Sequence, residues 1–126
     1  MITYRTTATL ATFAAFGLFI MFAFLPFIAN YIYGIDGDAE SNFVLRRAAF
    51  LLLGLGIMAW LTRSEPPSRV RNALALGFGV DVLGIMVTGI YDWATGFAGN
   101  TIWLLTAVEA FFGGLFVYHS RERVEG

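Results

Sequence analysis

Four apolar stretches, each close to the length of a bilayer crossing, take up most of this chain and leave room for few other folds. They run from about Thr7 to Tyr33, Phe43 to Leu61, Arg71 to Tyr91 and Thr101 to His119. Each is near the ~20 residues that cross a hydrocarbon core. In lipid the backbone must satisfy its own hydrogen bonds, so each stretch reads as a helix. The expected fold is therefore all-α, a polytopic membrane four-helix bundle forming a single transmembrane domain over residues 1–126.

Composition agrees. Hydrophobic residues make up 58% of the chain and charged ones only 13%, where a soluble domain carries about 25%. That is too little charge to clothe a water-facing surface. A net charge of −1 gives no reason to expect a nucleic-acid partner. The absence of cysteine excludes disulfides, thiolate metal sites and thiol catalysis. With no lysine, there is no Schiff base and no Walker-type phosphate loop. His119, the one histidine, cannot give a haem two histidine ligands from one chain. No cofactor or metal is implied.

The connections carry familiar breakers. GIDGDAESN (34–42) is acidic and glycine-containing, a solvated loop in which Ser41 or Asn42 is the expected cap of the second span. Pro66 and Pro67 end that span, and Ser68 is placed to cap the third. Asn100 is the expected cap of the fourth. The first span is longer than the 7–15-residue core typical of a signal peptide, so it reads as a retained helix. Pro26 and Asn30 interrupt it, which predicts a kink or a small polar opening.

Arginine sets the expected orientation. Arg5, the Arg63–Arg69–Arg71 loop and Arg121–Arg123 belong to one side, and the acidic loops at 34–42 and 92–100 to the other. Positive charge marks the cytoplasm, so both termini are expected inside. Tyr31, Tyr33, Tyr91, Trp93 and Trp103 fit the outer boundary, with Tyr4, Trp60 and Tyr118 at the inner one.

Two carboxylates stand in mid-span. Asp81 is about 14 Å from the inner end of its helix and Glu109 about 12 Å from the outer end of the next, at 1.5 Å per residue. An ionisable group there costs roughly 2.5–3.5 kcal/mol on insertion scales, and usually faces protein and has a partner. Gly77, Asp81, Gly84 and Thr88 form one stripe on the third span; Thr106, Glu109 and Gly113 form one on the fourth. Small residues allow close helix approach, so both acids are expected to face packed protein and each other. Arg46 and Arg47, just inside the outer end of the second span, are the available countercharges. They point about 100° apart, so one is expected to turn inward toward Glu109 and the other to snorkel. Asn30, Thr88 and Thr106 would support this cluster. The phenylalanines of the first span suit lipid contact and packing, or a pigment or quinone surface. His119 is expected as a solvated boundary residue.

From Phe43 to Ser120 the pattern LRRAAFLLLGLGIMAWLTR, a basic proline loop, a glycine-rich span, GN-x-x-W and a last span with a mid-helix polar residue resembles small four-span bacterial inner-membrane proteins, broadly of DoxX type. The resemblance implies membrane residence and four helices, and carries no activity onto any residue. Three functions fit. One is a non-catalytic subunit or accessory protein, self-associating or joined to a larger membrane complex amid membrane lipids. Another is a proton- or cation-coupled oligomeric transporter or channel. The last is a membrane enzyme acting on a lipid or isoprenoid, with Asp81 and Glu109 as an acid–base pair.

Overall fold

The computed structural model describes residues 2–124, which form five helices: α1 (Tyr4–Phe24), α2 (Pro26–Tyr33), α3 (Ala39–Thr62), α4 (Arg69–Ala94) and α5 (Ile102–His119). Four of them, α1, α3, α4 and α5, are long and apolar enough to cross a membrane, the pattern of a multi-pass membrane protein. Both described chain ends lie at one end of the molecule, called the terminal end below. The loops 34–38 and 95–101 lie at the other, called the loop end.

The expected first span is two helices. Leu25 leaves the helical region at φ −129°, ψ 53°, because the ring of Pro26 crowds the residue before it. Pro26 then opens α2, where its missing N–H costs nothing. The 21 residues of α1 reach about 31 Å, enough to cross without α2. That short helix ends at Gly34 in the left-handed region (φ 67°) and lies against the other loop, with Gly99 N–H donating to the Gly34 carbonyl at 3.1 Å. A Cβ on Gly34 would sit 2.5 Å from the Gly99 Cα, so both positions require glycine for this approach.

Two helix starts differ from expectation. α3 begins a turn earlier, capped by Asp38: Ser41 N–H donates to Asp38 Oδ1 at 2.7 Å, and Asp38 N–H donates to Ser41 Oγ at 2.9 Å. This is a reciprocal capping box. The Ser41 backbone and hydroxyl hold the Asp38 carboxyl below the usual range. Asn100 does not cap α5; its Oδ1 accepts from Trp93 Nε1 at 2.8 Å and ties the two loop-end tryptophans together. Ser68 does cap α4, accepting from Arg71 N–H at 3.0 Å.

Packing pairs α1 with α3 and α4 with α5, and the pairs meet through α1 and α5. α3 and α4 share at most marginal contact, so the helices stand in the order α3–α1–α5–α4. The four long helices thus form an open row with α3 and α4 as its edges. Small residues make each seam. On α3, Gly56 faces Ala15 and Phe16, and its carbonyl accepts from Thr12 Oγ1 at 3.3 Å. Between α4 and α5, Gly79 lies under Val117 and Gly113 under Leu83, with room for no side chain at either. The accessible surface, 7808 Å², exceeds the roughly 6,700 Å² of a compact soluble monomer of this mass. The core is correspondingly small, two clusters built around Tyr4, Phe78 and Phe116 and around Phe22, Ala29 and Ala49.

Candidate functional site

The expected mid-span cluster does not assemble within one chain. Asp81 is exposed. The seam of α4 runs through Arg71, Ala75, Phe78 and Gly79, and at about 100° per residue Asp81 lies roughly 105° away from it. Gly77, Gly84 and Thr88 share that outward side; nothing lies within 4 Å of where a Cβ on either glycine would stand. The small stripe is real but looks out of the row, and a second set of small residues, led by Gly79, makes the contact with α5.

Glu109 is half-buried and lines a cavity of about 100 Å³ with Tyr33, Thr88 and Asp92. Gly79 lies against Val117, Gly113 against Leu83, and Gly89 against Ile102 and Thr106, so Glu109 is level with residue 85 or 86. Asp81 is therefore about 7 Å nearer the terminal end, and on another face. Thr106 is buried, donating to the Ile102 carbonyl at 3.1 Å; Thr88 is exposed, donating to Ile85 at 2.7 Å. Asn30 is buried away from both acids, its amide donating to Asn42 Oδ1 at 3.0 Å and its own oxygen without a partner.

Neither arginine turns inward. Arg46 and Arg47 are both exposed, and the Arg47 guanidinium rests 5.6 Å from the ring of its own Phe43. The face of α3 that meets α1 runs through Ala49, Gly56 and Ala59; Arg46 lies roughly 95° to one side of it and Arg47 roughly 165° away. Among the described residues, no ion pair joins any of these four charges.

The polar site that does assemble is at the terminal end, from Tyr4, Thr7, Arg71, Asn72, His119 and Glu122. Arg71 is 4% exposed and His119 1%. The Arg71 Nη2 meets Glu122 Oε2 at 2.7 Å, and its guanidinium also donates to the carbonyls of Glu65 (3.3 Å) and His119 (3.4 Å). The Tyr4 ring covers it at 4.3 Å, a cation–π contact. Asn72 donates to the Glu122 carbonyl at 2.7 Å. His119 Nδ1 pairs with the other oxygen of Glu122, and Nε2 lies 3.2 Å from Thr7 Oγ1.

The donors can be assigned. Thr7 gives its hydroxyl proton to the Thr3 carbonyl at 3.0 Å, so its oxygen accepts from His119 Nε2–H. Burial pushes the Glu122 carboxyl up, but the Arg71 and His119 hydrogen bonds and charges outweigh it and hold it below the usual carboxylate range. Arg71, His119 and Glu122 thus form a hydrogen-bonded knot, with Arg71 and Glu122 as its ion pair, that pins the chain after α5 onto α1 and α4.

The sequence reading treated Arg71 as an orientation signal and His119 as solvated. Two signals were available. His119 and Glu122 stand i, i+3, and Arg71–Asn72 open α4 directly after a proline turn. Comparison with family models, with curated proteins and with solved structures finds no match to this chain.

Proposed function

We propose that this protein is a non-catalytic integral membrane subunit that works as a homo-oligomer, with the α4 edge of one copy joined to the α3 edge of the next. The observation that carries this reading is Asp81, exposed and unpaired in the middle of an apolar span. Lipid is an expensive neighbour for that group; a second protein surface is not.

The α3 edge fits. Measured from the terminal end, where Thr62 of α3 and Arg71 of α4 both meet Tyr4, Asp81 is within a turn of the depth of Gly54. Gly54 faces away from α1 and has nothing within 4 Å of a would-be Cβ. Arg46 and Arg47 flank that face toward the loop end, giving the two edges opposite charge. Gly77, Gly84 and Gly54 would let the helices approach closely. The same reading keeps both termini on the cytoplasmic side of a bacterial inner membrane, supported by Arg5, Arg63, Arg69, Arg121 and Arg123 at the terminal end.

The test is the protein mass of the full chain in detergent and in nanodiscs, by light scattering. The expected result is two or more copies for the native chain and one for Asp81→Arg, with Asp81→Asn between them. A single copy for the native chain in both media removes the reading.

A specific observation favours a second reading, an oligomeric proton- or cation-coupled transporter: the cavity of about 100 Å³ in which Glu109 faces Tyr33, Thr88 and Asp92. Proton flux into liposomes, lost in Glu109→Gln, would support it; no flux above protein-free vesicles would exclude it.

A further inference from the structure

The terminal end holds an open cleft of about 450 Å³ beside the Arg71 knot, within the size range of small-ligand sites. Three arginines from three segments line it: Arg5 from the first turn of α1, Arg63 at the end of α3 and Arg71 from the first turn of α4. Their states differ. Arg71 is fixed by Glu122, by two backbone carbonyls and by Tyr4, yet its buried Nε has no partner. Arg63 lies flat on the Trp60 indole at 3.6 Å and gives one N–H to the Trp60 carbonyl, leaving the rest of its fork open. Arg5 is exposed, with none of its donors engaged among the described residues.

The acids nearby do not balance this charge. Glu122 is committed to Arg71 and His119, which among the described residues lining the cleft leaves Glu65 against Arg5 and Arg63. Much of the remaining wall, Tyr4, Tyr118 and the Pro66–Pro67 turn, is aromatic and apolar, with Thr3, Ser64 and His119 as its polar part. A fork of guanidiniums over an apolar wall is the complement of a phosphate ester carrying an organic group, since guanidinium matches phosphate oxygens in pairs. Lone arginines at helix ends usually reach for headgroups one by one. Here they converge on one cleft with one wall preformed.

We propose that this cleft binds a phosphate-bearing anion, with Arg5 and Arg63 as the contacting cations and Arg71 as the fixed base of the site. It lies at the ends of the apolar spans, at the depth of a bilayer's headgroup layer. The phosphate can thus come from an anionic lipid or from a free phosphate in water.

The experiment is native mass spectrometry of the full chain in detergent, titrated separately with phosphatidylglycerol, phosphatidylcholine and inorganic phosphate. Preferential retention of phosphatidylglycerol over phosphatidylcholine supports a lipid source; retention of inorganic phosphate alone supports a free one. In either case Arg5→Ala and Arg63→Ala should each weaken binding about tenfold, as loss of a charge-assisted contact does. Arg46→Ala, at the loop end, should leave it unchanged. Arg5 and Arg63 lie outside the core, and an unchanged melting temperature checks that these variants fold. The proposal is overturned if neither ligand is retained above phosphatidylcholine. It is equally overturned if the Arg5→Ala/Arg63→Ala double variant binds as tightly as Arg46→Ala.

Discussion

The charges of this molecule fall into two regions that solve the same problem in opposite ways. At the terminal end, Arg71, His119 and Glu122 come from different places in the chain and satisfy one another inside the protein. Within the apolar spans, Asp81, Arg46 and Arg47 stand on the two edge helices and form no ion pair among the described residues. Paired charge holds a fold together; unpaired charge in an apolar span marks a surface that expects company. The contrast ranks the substitutions that follow.

The largest effect within one protomer belongs to the knot. Arg71→Met removes the cation from a buried pair and strands His119 and Glu122 together. We expect a loss of about 2–3 kcal/mol, below the 3–5 kcal/mol of a fully buried pair because Glu122 keeps contact with water. Equilibrium unfolding in mixed micelles measures it. Gly113→Val comes next. Its side chain would enter Leu83, and overpacking of this kind costs about 1–3 kcal/mol; the same unfolding curves report it, with α4 and α5 expected to separate first.

Acid probes the knot more gently. Because the folded Glu122 carboxyl sits below its ordinary range, its contribution is complete at neutral pH. It fades only as the pH falls through the folded value. Amide exchange of the final turn of α5 should therefore quicken in acid below the ordinary carboxylate range. In Glu122→Gln that exchange should already be quick at neutral pH and lose its dependence on acid. The smallest effect is expected at the open edge. Arg47→Ala removes a charge whose contact within the protomer is the exposed ring of Phe43, so monomer stability should move by less than about 0.5 kcal/mol, while the oligomer weakens. A large loss of monomer stability there would break the contrast.

Much of the architecture was readable from residues alone. Length and apolarity gave the four crossings, and the Pro66–Pro67 turn and Ser68 gave the α3–α4 junction. The break at Leu25 followed from Pro26, but its sharpness did not, because a proline in an apolar span produces either a kink or a stop. The candidate sites were harder to read. α4 carries glycines on two sides, Gly79 on one and Gly77 and Gly84 on the other, and periodicity cannot say which meets the nearest helix. Choosing the side that holds Asp81 turned that acid inward when it faces out. Arg71 and His119 were hidden by position: residues at span ends usually report orientation, and only the return of the chain at Glu122 converts them into a buried network.

The open edges carry the account's central claim, and the absence of cysteine makes them simple to address. In a background with no thiols, Gly84→Cys on α4 and Leu51→Cys on α3 lie within a turn of the same depth on opposite edges of one row. Mixing the two single-cysteine chains in membranes and oxidising should give a covalent species of two chains joined α4 to α3. If the mixed chains stay uncrosslinked while the native protein runs as one copy, Asp81 faces lipid and the edge-to-edge assembly does not exist.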